Sequence, residues 1–194
     1  MGSVVRMVNY VPIDLSQSLD KDEIVNQFKP NTLWNYWSYE LLSDTTKYPK
    51  LHDYIAQLPF KEICTIKINV QTKEVTPHID FVVDTGDLTA DQRNYAHIAG
   101  KESLELYKNN VKNEPCGYRI VVKGKNDVLQ LHQHKQLTCY KPYDTDCYVI
   151  NHTGAVHSVT NDIGRITIYI SGFIDREKHL KLLKRSMNKY SEYV

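Results

Sequence analysis

Cys147-Tyr148-Val149-Ile150-Asn151-His152-Thr153-Gly154-Ala155-Val156-His157-Ser158-Val159-Thr160-Asn161-Asp162-Ile163-Gly164-Arg165-Ile166-Thr167-Ile168-Tyr169-Ile170 is the stretch that decides the fold class. Short runs of β-branched and aromatic residues, Cys147 to Ile150, Ala155 to Thr160 and Arg165 to Phe173, alternate with polar turns such as Asn161-Asp162-Ile163-Gly164. Side chains two apart on an extended chain share a face. Arg165, Thr167 and Tyr169 therefore share one face of the last run, and Ile166, Ile168 and Ile170 the other. Upstream, Tyr118 to Lys123 and Val128 to Thr138 read as further strands, separated by the turn Gly124-Lys125-Asn126-Asp127. Many short strands with polar turns predict a sandwich or barrel.

An earlier alternating run, Cys64-Thr65-Ile66-Lys67-Ile68-Asn69-Val70, leads into Thr76-Pro77-His78-Ile79-Asp80-Phe81. A His-x-Asp on extended chain aims an imidazole and a carboxylate into one space. That is two of the three ligands of a 2-His-1-carboxylate facial triad, a set that suits Fe(II) and leaves positions open. The third ligand has two candidates, His152 and His157. His157 is preferred, because it lies in an apparent strand while His152 abuts the turn residues Thr153-Gly154. Arg165, one hairpin beyond, has the planar fork that holds a carboxylate bidentately. His132-Gln133-His134 is a rival metal motif, but no acidic ligand follows it in Lys135-Gln136-Leu137-Thr138. These two histidines read as exposed strand residues or as part of a substrate mouth.

Flanking segments read as support. Asp20 is a candidate N-cap, with Glu23 three residues on and Ile24 and Phe28 on an apolar face. Leu33-Trp34-Asn35-Tyr36-Trp37-Ser38-Tyr39 reads as aromatic packing against a sheet, with a substrate-facing wall as the alternative. Tyr48 to Leu58 and residues 89–111 read as helices, and Glu114-Pro115-Cys116-Gly117 as a turn. Asp175 to Asn188 predicts an amphipathic helix with Leu180 and Leu183 inward.

The 194 residues predict one domain: a helical and aromatic support over 1–61, a β core over 62–175 and a C-terminal helix over 176–194. Apolar residues at 41% and charged residues at 24% are ordinary for a globular chain, and the net charge of +1 gives no general basic field for nucleic acid. No apolar run spans a bilayer, and Met1 to Leu15 lacks a signal-type apolar core. Four cysteines without Cys-x-x-Cys spacing fit reduced thiols in a cytoplasmic protein. A Gly-x-Ser-x-Gly elbow and a Gly-rich phosphate loop are both missing from the sequence.

The series His78-x-Asp80, His157 and Arg165 resembles the Fe(II)/2-oxoglutarate-dependent oxygenases. Gly154-Ala155-Val156-His157-Ser158-Val159-x-Asn161 followed by Arg165 looks most like their aspartyl/asparaginyl β-hydroxylase-like branch, over roughly residues 62–175. The resemblance implies a mostly β fold with flanking helices, built on a double-stranded β-helix, the cupin-like jelly roll. It implies iron on His78, Asp80 and His157, with 2-oxoglutarate and O2 as co-substrates. It places the far carboxylate of 2-oxoglutarate on Arg165 and a further co-substrate arginine at Arg119. The reaction it implies is hydroxylation of a C–H in a peptide side chain or amino-acid-like substrate, releasing succinate and CO2. Asp80 fits a hydroxylase, since family halogenases have a small residue there. The alternative is a non-catalytic cupin-like module that binds metal or a small molecule.

Overall fold

The computed structural model describes residues 9–42, 44, 46–78, 114–132, 136–150 and 155–194. Eleven strands lie in these segments: β1 (Tyr10–Pro12), β2 (Thr32–Trp34), β3 (Trp37–Leu41), β4 (Phe60–Gln71), β5 (Val75–His78), β6 (Glu114–Lys123), β7 (Leu129–His132), β8 (Gln136–Cys139), β9 (Cys147–Ile150), β10 (Val156–Val159) and β11 (Ile166–Ile174). The helices are α1 (Lys21–Gln27), α2 (Pro49–Ile55) and α3 (Arg176–Lys189), with a 3-10 turn at Ser191–Tyr193.

Two antiparallel sheets form, in the orders β1-β9-β6-β11-β4-β3-β2 and β5-β10-β7-β8. From β4 onward, successive strands interleave: β4, β6, β9 and β11 go to the large sheet, and β5, β7, β8 and β10 to the small one. This is the jelly-roll winding of a double-stranded β-helix. β1 lengthens the large sheet on one side, and the β2–β3 hairpin on the other.

The alternation of β11 explains the layering. Ile166, Ile168 and Ile170 join Ile66, Ile68, Tyr118 and Ile120 in one core, which also takes Ile24, Leu51, Ile55 and Leu183 from the helices. The helices thus cover the outer face of the large sheet. A second cluster lies between the sheets and contains Tyr10, Val121 and Tyr148 of the large sheet with Val75, Leu129, Leu131 and Val159 of the small one.

Asp20 caps α1 as expected, accepting from the Glu23 N–H at 3.1 Å. The Glu23 carboxylate does not close a capping box. It instead accepts from the backbone N–H groups of Lys50 (3.2 Å) and Leu51 (3.0 Å), serving the start of α2, whose own N-cap Tyr48 offers no side-chain bond. Asp175 caps α3 by accepting from Lys178 N–H. Its buried stripe is His179, Leu182, Leu183 and Ser186, so Leu182 takes the inward place expected of Leu180. A spacing of three, four and seven residues makes that stripe continuous.

Other expectations need correction. Residues 114–117 are the first part of β6, not a turn. The strand expected over Val128 to Thr138 is a hairpin, β7–β8, paired from Leu129↔Cys139 to His132↔Gln136. The aromatic segment 33–39 is itself a sheet hairpin turning at Asn35 (φ 48°), with Leu33 and Trp34 exposed rather than packed. The helix expected over 89–111 lies outside the described residues. The four cysteines are free thiols, and Cys116, Cys139 and Cys147 are buried. Among the described residues no helix is long and apolar enough to cross a membrane.

Candidate metal centre

The inner face of the small sheet can be read row by row from its register. His157 pairs with His78 on one side and with Leu131 on the other, and Leu131 pairs with Leu137. The next row is Val75, Val159, Leu129 and Cys139, all buried. Directly opposed residues in an antiparallel pair share a face. His78 and His157 therefore stand side by side above an apolar floor.

His78 reaches this face through an irregularity. Between the pairs His157↔His78 and Val159↔Val75, β10 advances two residues and β5 three. Thr76-Pro77 thus forms a bulge, where the missing N–H of a proline is tolerated. On a regular strand Val75 and His78, three apart, would point to opposite faces; the bulge brings them to one.

The two imidazole centroids are 4.5 Å apart, with the rings inclined at 49°. Two imidazoles at right angles on one ion, with metal–nitrogen distances of about 2.1 Å, bring their centroids to about this separation. Each Nδ1 faces a carbonyl of its own strand: His78 Nδ1 is 2.7 Å from Thr76 O, and His157 Nδ1 is 3.0 Å from Ala155 O. A carbonyl only accepts, so in the neutral rings Nδ1 carries the proton and Nε2 the lone pair. Imidazoles that ligate a metal are oriented by this kind of backbone bond. Asp80 lies outside the described residues, as do His134 and His152.

His132 stands on the other face. It is opposite Val156, one residue out of phase with His157, and its Nε2 is 2.7 Å from Ser158 Oγ. The described half of the His-x-His motif therefore points away from the His78–His157 pair.

Arg165 occupies a pocket at the apolar floor. It is 4% exposed, and the pocket walls include Leu129 and Cys139 of the small sheet with Tyr10, Val121 and Tyr148 of the large one. Gly124, at φ +142°, lets the side chain pass, because a Cβ there would come within 2.6 Å of Arg165 Cγ. Among the described residues Arg165 Nε is buried without a hydrogen-bond partner. A buried guanidinium N–H without an acceptor is unfavourable. Two neighbours that could in principle ionise do not supply the acceptor charge. Burial pushes the Tyr10 hydroxyl well above the usual phenol range and the Cys139 thiol up to about 12. Both stay neutral near pH 7, so neither meets the charge of Arg165, a donor suited to an anion.

Arg119 stands on the inner face of the large sheet. It pairs with Tyr148 and with Tyr169, and its guanidinium carbon lies 5.0 Å from the Tyr169 ring centroid. Gly117 makes room for that ring, since a Cβ there would lie 2.9 Å from Tyr169 Cε2. The inner face of β4, with Lys67 and Asn69 beside Tyr169 and Thr167, was not singled out from sequence. The alternation Thr65-Lys67-Asn69 was the available signal.

Fold and site together define a jelly roll with two imidazoles on one inner strand row and a buried arginine beneath them. Among solved structures, the chain is similar to a prolyl hydroxylase in complex with a hypoxia inducible factor oxygen degradation domain peptide fragment from Trichoplax adhaerens. The TM-score is 0.48 and the identity 10%, over 92% of each chain. It is also similar to the non-heme alpha ketoglutarate dependent epimerase SnoN from nogalamycin biosynthesis, with a TM-score of 0.45 and 11% identity over 86% of this chain and 78% of that one. No protein-family model matches the chain, and no curated protein matches it. At these scores the assignment of architecture rests on the strand order given above.

Proposed function

We propose that the protein is an Fe(II)- and 2-oxoglutarate-dependent dioxygenase of the aspartyl/asparaginyl β-hydroxylase-like type. It hydroxylates an unactivated C–H of a peptide side chain or amino-acid-like substrate, with succinate and CO2 as co-products. The observation that carries this reading is the His78–His157 pair, one row above a pocket holding a buried arginine with an unmet N–H.

In this reading His78, Asp80 and His157 hold the iron. Arg165 takes the far carboxylate of 2-oxoglutarate and Arg119 lies on the same side of the site. Bound iron and 2-oxoglutarate supply the activation of O2 and the oxidation of the C–H bond. The chain's own residues bind, orient and exclude water. The carbonyls of Thr76 and Ala155 fix the ring orientations and keep both Nε2 lone pairs turned to the ion. Arg165 sets the direction of the co-substrate by a charge-assisted pair in a site with little water, where such a pair is strong. Val75, Val159 and Leu129 close the floor against solvent.

The test is succinate formation from 2-oxoglutarate with Fe(II), together with anaerobic titration of Fe(II) into the apoprotein. His78→Ala and His157→Ala are each expected to lower Fe(II) affinity by at least about 100-fold and to abolish turnover, while unfolding like the wild type. Unchanged iron binding in both variants sinks the proposal. If His132→Ala lost iron while these two kept it, the metal would belong on the other face of the small sheet.

A further inference from the structure

The metal pair and the Arg165 pocket leave Lys67, on the inner face of the large sheet, unused. Lys67 lies on β4, opposite Tyr169 of β11 and Leu41 of β3. Because β4 is flanked on both sides, this is not a lysine guarding a sheet edge. Its neighbours in sequence, Ile66 and Ile68, point into the core on the other face. Its ammonium lies 5.4 Å from the Tyr39 ring centroid, and among the described residues no carboxylate pairs with it.

The surroundings give this charge a direction. Tyr169 separates Lys67 from Arg119, so Lys67 stands one strand further from the Arg165 pocket. Trp37 and Tyr39 continue the same face on β3 toward the exposed Trp34. Tyr36, in the β2–β3 turn, ties this hairpin to the histidine-bearing strand: its carbonyl accepts from Thr72 N–H at 2.9 Å, and its hydroxyl is 3.4 Å from Thr76 Oγ1. A half-buried lysine beside one aromatic ring, with no counter-charge from the described chain, attracts an anion strongly for its exposure.

We propose that Lys67, with the Tyr39 ring beside its ammonium, is the specificity site for an anionic group on the substrate, a carboxylate or a phosphate. The inference deepens the oxygenase reading and rests on it for the word substrate. It commits to an acidic peptide-like molecule, because the face combines one cation with an aromatic wall and carries no further described cation beyond Lys67 on the β3 side.

The test is affinity selection from capped hexapeptide pools that differ at one fixed position, Glu, phosphoserine, Gln or Lys, and are randomised elsewhere. Bound peptides are read by mass spectrometry, with no turnover required. The wild type is expected to retain the Glu or phosphoserine pool at least about fivefold over the Gln pool, the scale of one partly exposed charge pair. The comparison between these two pools separates a carboxylate from a phosphate. Lys67→Gln should erase the preference, and Lys67→Glu should turn it toward the Lys pool, with circular dichroism and thermal midpoint near the wild type. No acidic preference in the wild type, or a preference that survives Lys67→Glu, overturns the proposal. Acidic selection without any succinate formation would instead refute the oxygenase reading and leave this binding site standing.

Discussion

Arg165 and Gly124 act as a unit at the scale of single residues. The guanidinium reaches its pocket only because position 124 has no Cβ and sits at φ +142°. Gly124→Ala is expected to cost about 1–3 kcal/mol, from backbone strain and from displacing Arg165, seen as a lower urea midpoint. Under the proposed function, Arg165→Met would remove the charge-assisted bonds to 2-oxoglutarate and keep the bulk. It should raise the KM for 2-oxoglutarate roughly 10- to 100-fold, with kcat largely recovered at saturation. An equal fall in kcat at saturating 2-oxoglutarate would show that Arg165 does more than hold the co-substrate. Alternation gave Arg165 its face and placed His157 in a strand, but the face of His78 was hidden, because it depends on the Thr76-Pro77 bulge. The side of His132 was hidden too, because its phase depends on a pairing register that its own strand does not encode. The Glu23 link to α2 was hidden for a similar reason: a capping-box pattern names the residue but not the helix it serves.

At the scale of elements, the central strand β11 carries the layering. It pairs with β4 on one side and β6 on the other, and Ile168 at its middle is fully buried. Ile168→Ala is expected to destabilise the fold by about 2–5 kcal/mol in chemical denaturation. Glu23→Ala should cost about 1 kcal/mol, because two N–H groups at the start of α2 lose their acceptor. A loss indistinguishable from zero would mean that water serves those groups equally well. The strands with β-branched runs were readable in the sequence, whereas their interleaving order was implied by the family resemblance alone and is given by the sheet topology. Two elements were missed for physical reasons. The described β7–β8 pairing ends at His132↔Gln136, and the sequence between these two residues has no glycine, proline or asparagine to mark a break in the strand. The β2–β3 hairpin is written in aromatics, which suit a buried surface and a strand equally.

For the whole molecule, surface charge pairs set the response to pH. Lys50 bonds the Asp20 carboxylate, Lys189 bonds that of Asp144, and the Lys178 N–H bonds that of Asp175; each holds its carboxyl below the usual range. Their stabilisation is present above the unfolded carboxylate values of about 4 and is lost as pH falls through the lower folded values. Hydrogen bonds to Asp14, then to Asp144, hold the Lys189 ammonium well above the usual lysine range. That contribution is complete below the unfolded lysine value of about 10.4 and is lost only at higher pH. The thermal midpoint should therefore be nearly flat from roughly pH 5 to 9 and fall on the acid side. Added salt should shrink the acid-side change, since these pairs are exposed. A midpoint that rises on acidification below pH 4 would contradict this assignment.

Among the described strands, β5 has a single hydrogen-bonded neighbour, while β10 has two. The two imidazoles thus differ in tenure: one is anchored in the middle of its ladder, and the other rides on the rim of the described sheet. An ion held by both would clamp that rim. Backbone amides of Val75, Thr76 and His78 should then exchange with deuterium faster than those of 157–159 in the metal-free protein, and slow the more when metal is added.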